Sequence, residues 1–94
     1  MAEDIEVRHD AAQQRFEVLV DGVRAELDYD QRGGILCLTH TGVPSEIGGR
    51  GVGGALVCAA LEYARAKGLK VKPQCEYAAS YIERHPQYRD LLKA

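Results

Sequence analysis

No stretch of the 94 residues comes near the run of roughly 18 apolar residues that spans a bilayer. The opening segment, MAEDIEVRHD, is charged and lacks the apolar core of a secretory signal. Both absences argue for a cytoplasmic protein with no membrane partner. No cluster of Lys or Arg occurs, and 12 basic against 14 acidic residues leave a net charge of -2, which removes nucleic acid as a main partner. No C-x-x-C pair is present. The three cysteines, Cys37, Cys58 and Cys75, are odd in number and widely spaced, and the three histidines, His9, His40 and His85, are scattered, so no metal site is expected. Free thiols fit a reducing compartment. There is no repeat, linker or low-complexity stretch, and the reading is one small domain over residues 1–94, favoured as a monomer.

What is present begins with alternation. Ile5, Val7 and His9 share one face of "IEVRH", and Phe16, Val18 and Val20 share one face of "RFEVLV". In "VRAELDYD", Val23, Ala25, Leu27 and Tyr29 oppose Arg24, Glu26, Asp28 and Asp30. Period two with polar outer residues predicts half-buried antiparallel strands. Asp21-Gly22 reads as a tight hairpin, and Gly33-Gly34 turns the chain again. "ILCLTHTGV" (Ile35 to Val43) is a fourth strand, apolar on both faces at its start, which predicts a central position.

From Arg50 to Lys67 the period becomes helical, with Val52, Leu56, Ala59, Ala60 and Tyr63 recurring, and Gly68 is the stop signal. "LKVKP" predicts a short fifth strand, "EYAASYIERH" a second helix closed by Pro86, and "YRDLL" a final turn. A strand–helix–strand unit requires strands four and five to be parallel. The fold class is α+β, or mixed α/β: four antiparallel strands, a long helix, a parallel fifth strand and a C-terminal helix. The fifth strand is expected to be a sheet edge. Cys37 and Cys58 read as small core residues, and packing is the default for Tyr29, Tyr63 and Tyr77.

The helix opens on "GGRGVGGALV", with five glycines in ten residues. Glycine is a poor helix former, so its density there needs a reason. Helix N-termini present unpaired N–H groups and partial positive charge, and glycine lets a phosphate approach them. A Walker A loop fails, because Gly54 and Ala55 stand where Lys and a hydroxyl are needed. Gly49, Gly51 and Gly54 match G-x-G-x-x-G, but "PSEI" separates them from the preceding strand and the strands before it are antiparallel. The ligand-free reading is a tight strand-to-helix connection, which needs one or two glycines.

The segment Gly48-Gly49-Arg50-Gly51-Val52-Gly53, followed by "GALV", resembles the pyrophosphate loop of the Gcn5-related N-acetyltransferases, the GNAT superfamily. Gly48 stands where that motif has Gln or Arg, with Arg50 close enough to replace the contact. "CLTHTGV" stands where the family's pantetheine-binding strand stands. With "RFEVLVDG", "HTGVP", "LEYAR" and the run Pro73-Gln74-Cys75-Glu76-Tyr77 to Arg84-His85-Pro86-Gln87-Tyr88, the chain is similar to the very small single-domain members of that superfamily. The resemblance implies a truncated GNAT-type fold, acetyl-CoA or CoA as the bound ligand, and an unknown amine as acetyl acceptor. It implies ligand binding by Thr41, Val43, Gly48, Gly49, Arg50, Gly51, Val52, Gly53 and Gly54.

Three residues are candidates for chemistry. Cys75 lies between the fifth strand and the second helix, where a helix N-terminus favours a thiolate. It reads as an acid, a transient acyl acceptor, a thiol lying beside CoA, or a buried helix-start cysteine. His40 reads as a general base or as a core histidine bonded to backbone. The resemblance implies a tyrosine that protonates the departing CoA thiolate, and Tyr81, six residues after Cys75, is the candidate. His85 is expected to cap the end of its helix. The leading function is acetyl-CoA-dependent N-acetyl transfer. The alternatives are a CoA-binding module without turnover, and an interaction protein working through the exposed fifth strand.

Overall fold

The alternation in the first half of the chain becomes four antiparallel strands: β1 (Val7–Asp10), β2 (Arg15–Val20), β3 (Val23–Arg32) and β4 (Ile35–Gly42). The structure is a computed structural model in which residues 5–93 are described. Asp21 and Gly22 have φ of 50° and 77°, the left-handed pair that a two-residue hairpin requires. Helix α1 (Val52–Lys67) then crosses over to β5 (Lys70–Pro73), which lies parallel to β4. Helix α2 (Glu76–Arg84) and a 3-10 turn over Pro86–Leu91 follow. The sheet order is β1-β2-β3-β4-β5.

The predicted inner face is the core. Phe16, Val18, Ala25, Leu27, Tyr29, Leu36, Leu38 and Val71 are buried against Leu56, Val57, Ala60, Leu61 and Ala64 of α1, with Ala78 and Ile82 of α2 in the same cluster. The other face carries charge in pairs, such as Arg15 with Asp28 at 2.9 Å. Helix α1 stops where Gly68 takes φ of 70° and Leu69 N–H reaches back to Ala64 C=O at 2.8 Å, a Schellman closure.

Three expectations need correction. Cys37 and Cys58 are half-buried rather than core residues. Cys37 shares the outward phase of β4, and Cys58 Sγ lies 3.5 Å from the Tyr88 hydroxyl. Tyr77 is 42% exposed, because α2 turns it away from the sheet and toward the start of α1. The fifth strand is the sheet edge, as expected, with one bridge on its free side: Leu92 bridges Val71, and Lys93 N–H donates to Val71 C=O at 3.0 Å. Finally, the β3–β4 register shifts between Asp28 and Tyr29, so that Leu38 faces Tyr29, His40 faces Asp28, and Thr39 is skipped. A bulge of this kind reverses the side-chain phase beyond it. His40 is therefore exposed on the outer face, not in the core, and Thr41 points inward opposite Leu27.

At the β1 edge, His9 hydrogen-bonds the Tyr29 hydroxyl at 2.5 Å, stacks on Phe16 with centroids 4.2 Å apart, and meets Tyr63 edge-on. Burial lowers its pKa from the ordinary 6.5, against a smaller raising effect of Asp10. The unfolded chain then takes up the proton first as pH falls. His9's contribution to stability is complete above 6.5 and is lost as pH drops from there through the folded-state value. Urea unfolding across that window is expected to show a falling midpoint, with the dependence reduced in His9→Asn. An identical pH dependence in the variant would remove His9 as its source.

Candidate functional site

Parallel pairing between β4 and β5 runs from Ile35–Lys70 to Leu38–Pro73 and ends there. Gln74 and Cys75 both donate their N–H to Leu38 C=O, at 2.9 and 3.1 Å, and the chain turns into α2. Strand β4 continues to Gly42 with β3 on one side and no paired strand on the other. The result is a notch between the second half of β4 and the start of α2. Cys75 is the N-cap residue of α2, in extended conformation, and its side chain makes no cap bond. Its Sγ lies 3.3 Å from Thr41 Oγ1, the hydroxyl that the bulge turns inward. Thus Thr41 and Cys75, distant in sequence, meet across the notch. Val43 is half-buried against the core just beyond β4.

The glycine segment sits at the start of α1. Ile47, at the end of a short 3-10 turn, is buried and anchors the approach, as Val52 anchors the helix itself. Gly48 is extended, whereas Gly49 and Gly51 have φ of 76° and 79°. A Cβ on either of these two would meet nothing within 4 Å, so backbone conformation, not crowding by the protein, is what requires glycine there. Gly51 is the N-cap of α1 and offers no side chain to the first-turn amides, and no acidic residue lies in that turn. The positive end of α1 therefore carries no counter-charge from its own first turn. Arg50 Nη1 donates to Asp21 Oδ2 at 2.8 Å, tying the glycine turn to the β2–β3 hairpin.

Gly53 and Gly54 have a different use. A Cβ on Gly53 would stand 2.5 Å from the Tyr77 hydroxyl, and one on Gly54 would touch the Tyr81 ring at 3.4 Å. These glycines let α2 lay two tyrosines against the first turn of α1. Tyr77, which the sequence reading assigned to packing, belongs to this arrangement instead. Its position two residues after Cys75 was a usable signal, since the first turn of α2 lies beside the first turn of α1.

Tyr81 is half-buried and stacked on His85 at 3.9 Å, while His85 Nδ1 bonds Tyr81 C=O at 2.8 Å and so closes the helix end as expected. Burial, then the neighbouring Cys58, raises the Tyr81 pKa above 10.0 and keeps the phenol protonated. Tyr88 donates to Glu62 Oε2 at 2.6 Å, and its pKa is raised first by Cys58 and then by Glu62. His40 lies on the outer face of β4, opposite Asp28, away from the inward side that holds Thr41 and Cys75. The structure therefore brings Thr41 to Cys75, and the two α2 tyrosines to the glycine turn. It does not bring His40 to Cys75.

A mixed sheet whose one parallel pair ends while β4 runs on, and a glycine-led helix start beside that sheet, define an acyltransferase-type fold. The family model for GCN5-related N-acetyl-transferase matches residues 15–91, and the chain belongs to that family. Among curated proteins it is similar to Protein NATD1 of Gallus gallus and of Mus musculus, each 36% identical over 94 residues, covering 95% of this chain and 86% of theirs. Protein NATD1 of Homo sapiens is also 36% identical, with 83% of its length covered. Among solved structures, the NMR structure of a GCN5-like protein from Staphylococcus aureus superposes with a TM-score of 0.75 at 30% identity, covering 95% of this chain and 88% of that one. No helix among the described residues is long and apolar enough to cross a membrane.

Proposed function

We propose that the protein transfers an acetyl group from acetyl-CoA to an amine. The observation that carries this reading is the end of β5 at Pro73 while β4 runs on to Gly42, with Thr41 and Cys75 3.3 Å apart beside the uncovered part of β4. The strand backbone freed on the β5 side of β4 supplies polar groups to a pantetheine arm. The left-handed turn at Gly49 and Gly51, with Arg50, receives the pyrophosphate at the positive end of α1. The amine nitrogen attacks the thioester carbonyl carbon, the C–S bond breaks, and CoA leaves as the thiol once a proton reaches its sulfur. The proton that the amine loses passes to water, since His40 lies on the outer face of β4, across the sheet from Thr41 and Cys75. Cys75 and Tyr81 are the candidates to supply the proton to sulfur. A route through acetyl-Cys75 uses the same atoms in two steps, thiol attack first and amine attack second.

The test is alkylation by iodoacetamide, mapped by peptide, with and without CoA. Saturating CoA is expected to slow labelling of Cys75 severalfold and to leave Cys37 and Cys58 unchanged. Intact mass after incubation with acetyl-CoA then separates the two routes: an added acetyl group that disappears in Cys75→Ser means the two-step path. Equal labelling of Cys75 with and without CoA would remove the notch as the thioester site.

A further inference from the structure

On the sheet face away from the helices, Glu26, Asp28 and His40 each offer one ligand atom, and the three atoms lie within 4.8 Å of one another. We propose that this trio binds a divalent transition-metal ion of the class represented by zinc, cobalt and nickel. The ligand set is one imidazole nitrogen and two carboxylates, which suits those ions. Three protein ligands leave at least one coordination position open.

Glu26 and Asp28 sit two residues apart on β3 and share its outer face. His40 joins them only because Thr39 is skipped in the pairing with β3, which sets His40 opposite Asp28. Unshifted pairing would point its ring into the core. Gly42 pairs with Glu26 in the same register. Its φ is not positive, so the backbone does not demand glycine there. A Cβ at that position would stand 3.1 Å from His40 Nε2 and 3.8 Å from Glu26 Cγ. The missing side chain keeps open the space that an ion on Nε2 needs. Arg15 Nε donates to Asp28 Oδ1 at 2.9 Å, which orients this carboxylate and leaves its second oxygen available, as outer contacts do at metal centres. Glu26 pairs with the exposed Arg24 at 3.4 Å and lies within the field of Arg15. Arg15 and Arg24 balance part of the charge of the two half-buried carboxylates, and one oxygen of each still lies within 4.8 Å of the other and of a His40 ring nitrogen.

The site does not depend on acetyl transfer. His40 lies on the outer face of β4 and Thr41 and Cys75 on the inner one, so a bound ion leaves the residues of the acyl site untouched.

Cobalt(II) added to metal-stripped protein, followed by calorimetry and visible absorption, is the test. One equivalent is expected to bind without the charge-transfer band that a thiolate ligand produces. His40→Ala and Glu26→Gln are each expected to weaken binding by roughly tenfold or more. Gly42→Val retains all three ligands but fills the cradle, and it is expected to weaken binding as well. Cys37→Ser is expected to change nothing. Amide NMR spectra of the metal-free variants establish that they fold. Thiolate-type absorption, no binding, or affinity unchanged in both His40→Ala and Glu26→Gln would overturn the assignment.

Discussion

Replacing Leu38 by alanine is expected to lower the unfolding free energy by about 2–5 kcal/mol, the range for truncating a fully buried leucine. A chain of this length holds about 5–14 kcal/mol in total, so the change consumes a large share of the margin. Leu38 is 0% exposed, faces Tyr29 across β3–β4, and is the last β4 residue paired with β5. Its carbonyl also accepts the N–H groups of Gln74 and Cys75. A cavity at this point lies directly under the place where the β4–β5 pairing ends. The loss should therefore appear twice: as a lower denaturation midpoint, and as weaker CoA binding in protein that remains folded. Leu19→Ala is the control, since Leu19 is 70% exposed and its removal should stay within about 0.5 kcal/mol. A cost for Leu38→Ala no larger than that of Leu19→Ala would mean that the strand junction is not close-packed.

Most of the fold could be read because its signals are local. Alternation in "VRAELDYD" is visible without knowing its partner, and Asp21-Gly22 and Gly68 announce a turn and a helix end by their own conformational preference. Features set by pairing between distant segments could not be read in the same way. The skip at Thr39 exists only in the register between β3 and β4, and it decides that Thr41 faces Cys75 while His40 faces outward. The bridge on the outer side of β5 comes from Leu92, twenty-one residues after Val71. Cys58 is displaced from the core because Tyr88 and Glu62 build a polar contact along one side of α1. In the candidate site, the glycine turn was legible as a turn. The division of labour within it was not, because Gly53 and Gly54 answer to Tyr77 and Tyr81 on another helix.

Gly51→Val is expected to reduce CoA affinity by at least tenfold, about 1.4 kcal/mol or more. Gly51 has φ of 79°, and a β-branched residue held in the left-handed region costs about 1–2 kcal/mol. A Cβ there would meet no protein atom within 4 Å, so the side chain starts out into the open space from which a phosphate would reach the α1 amides. Strain and obstruction therefore act together on the ligand, while strain alone acts on the fold. Gly51→Asn separates the two terms. Asparagine tolerates the left-handed region far better than valine, so it should retain more stability, while its amide still enters the approach space. Titration calorimetry with CoA on each variant, with denaturation midpoints measured in parallel, gives both quantities. The expected order of affinity is wild type, then Gly51→Asn, then Gly51→Val, and Gly51→Val should remain folded because Val52 and Ile47 stay buried on either side of the turn. Folded Gly51→Val that binds CoA as tightly as the wild type would show that the pyrophosphate does not lie on this turn.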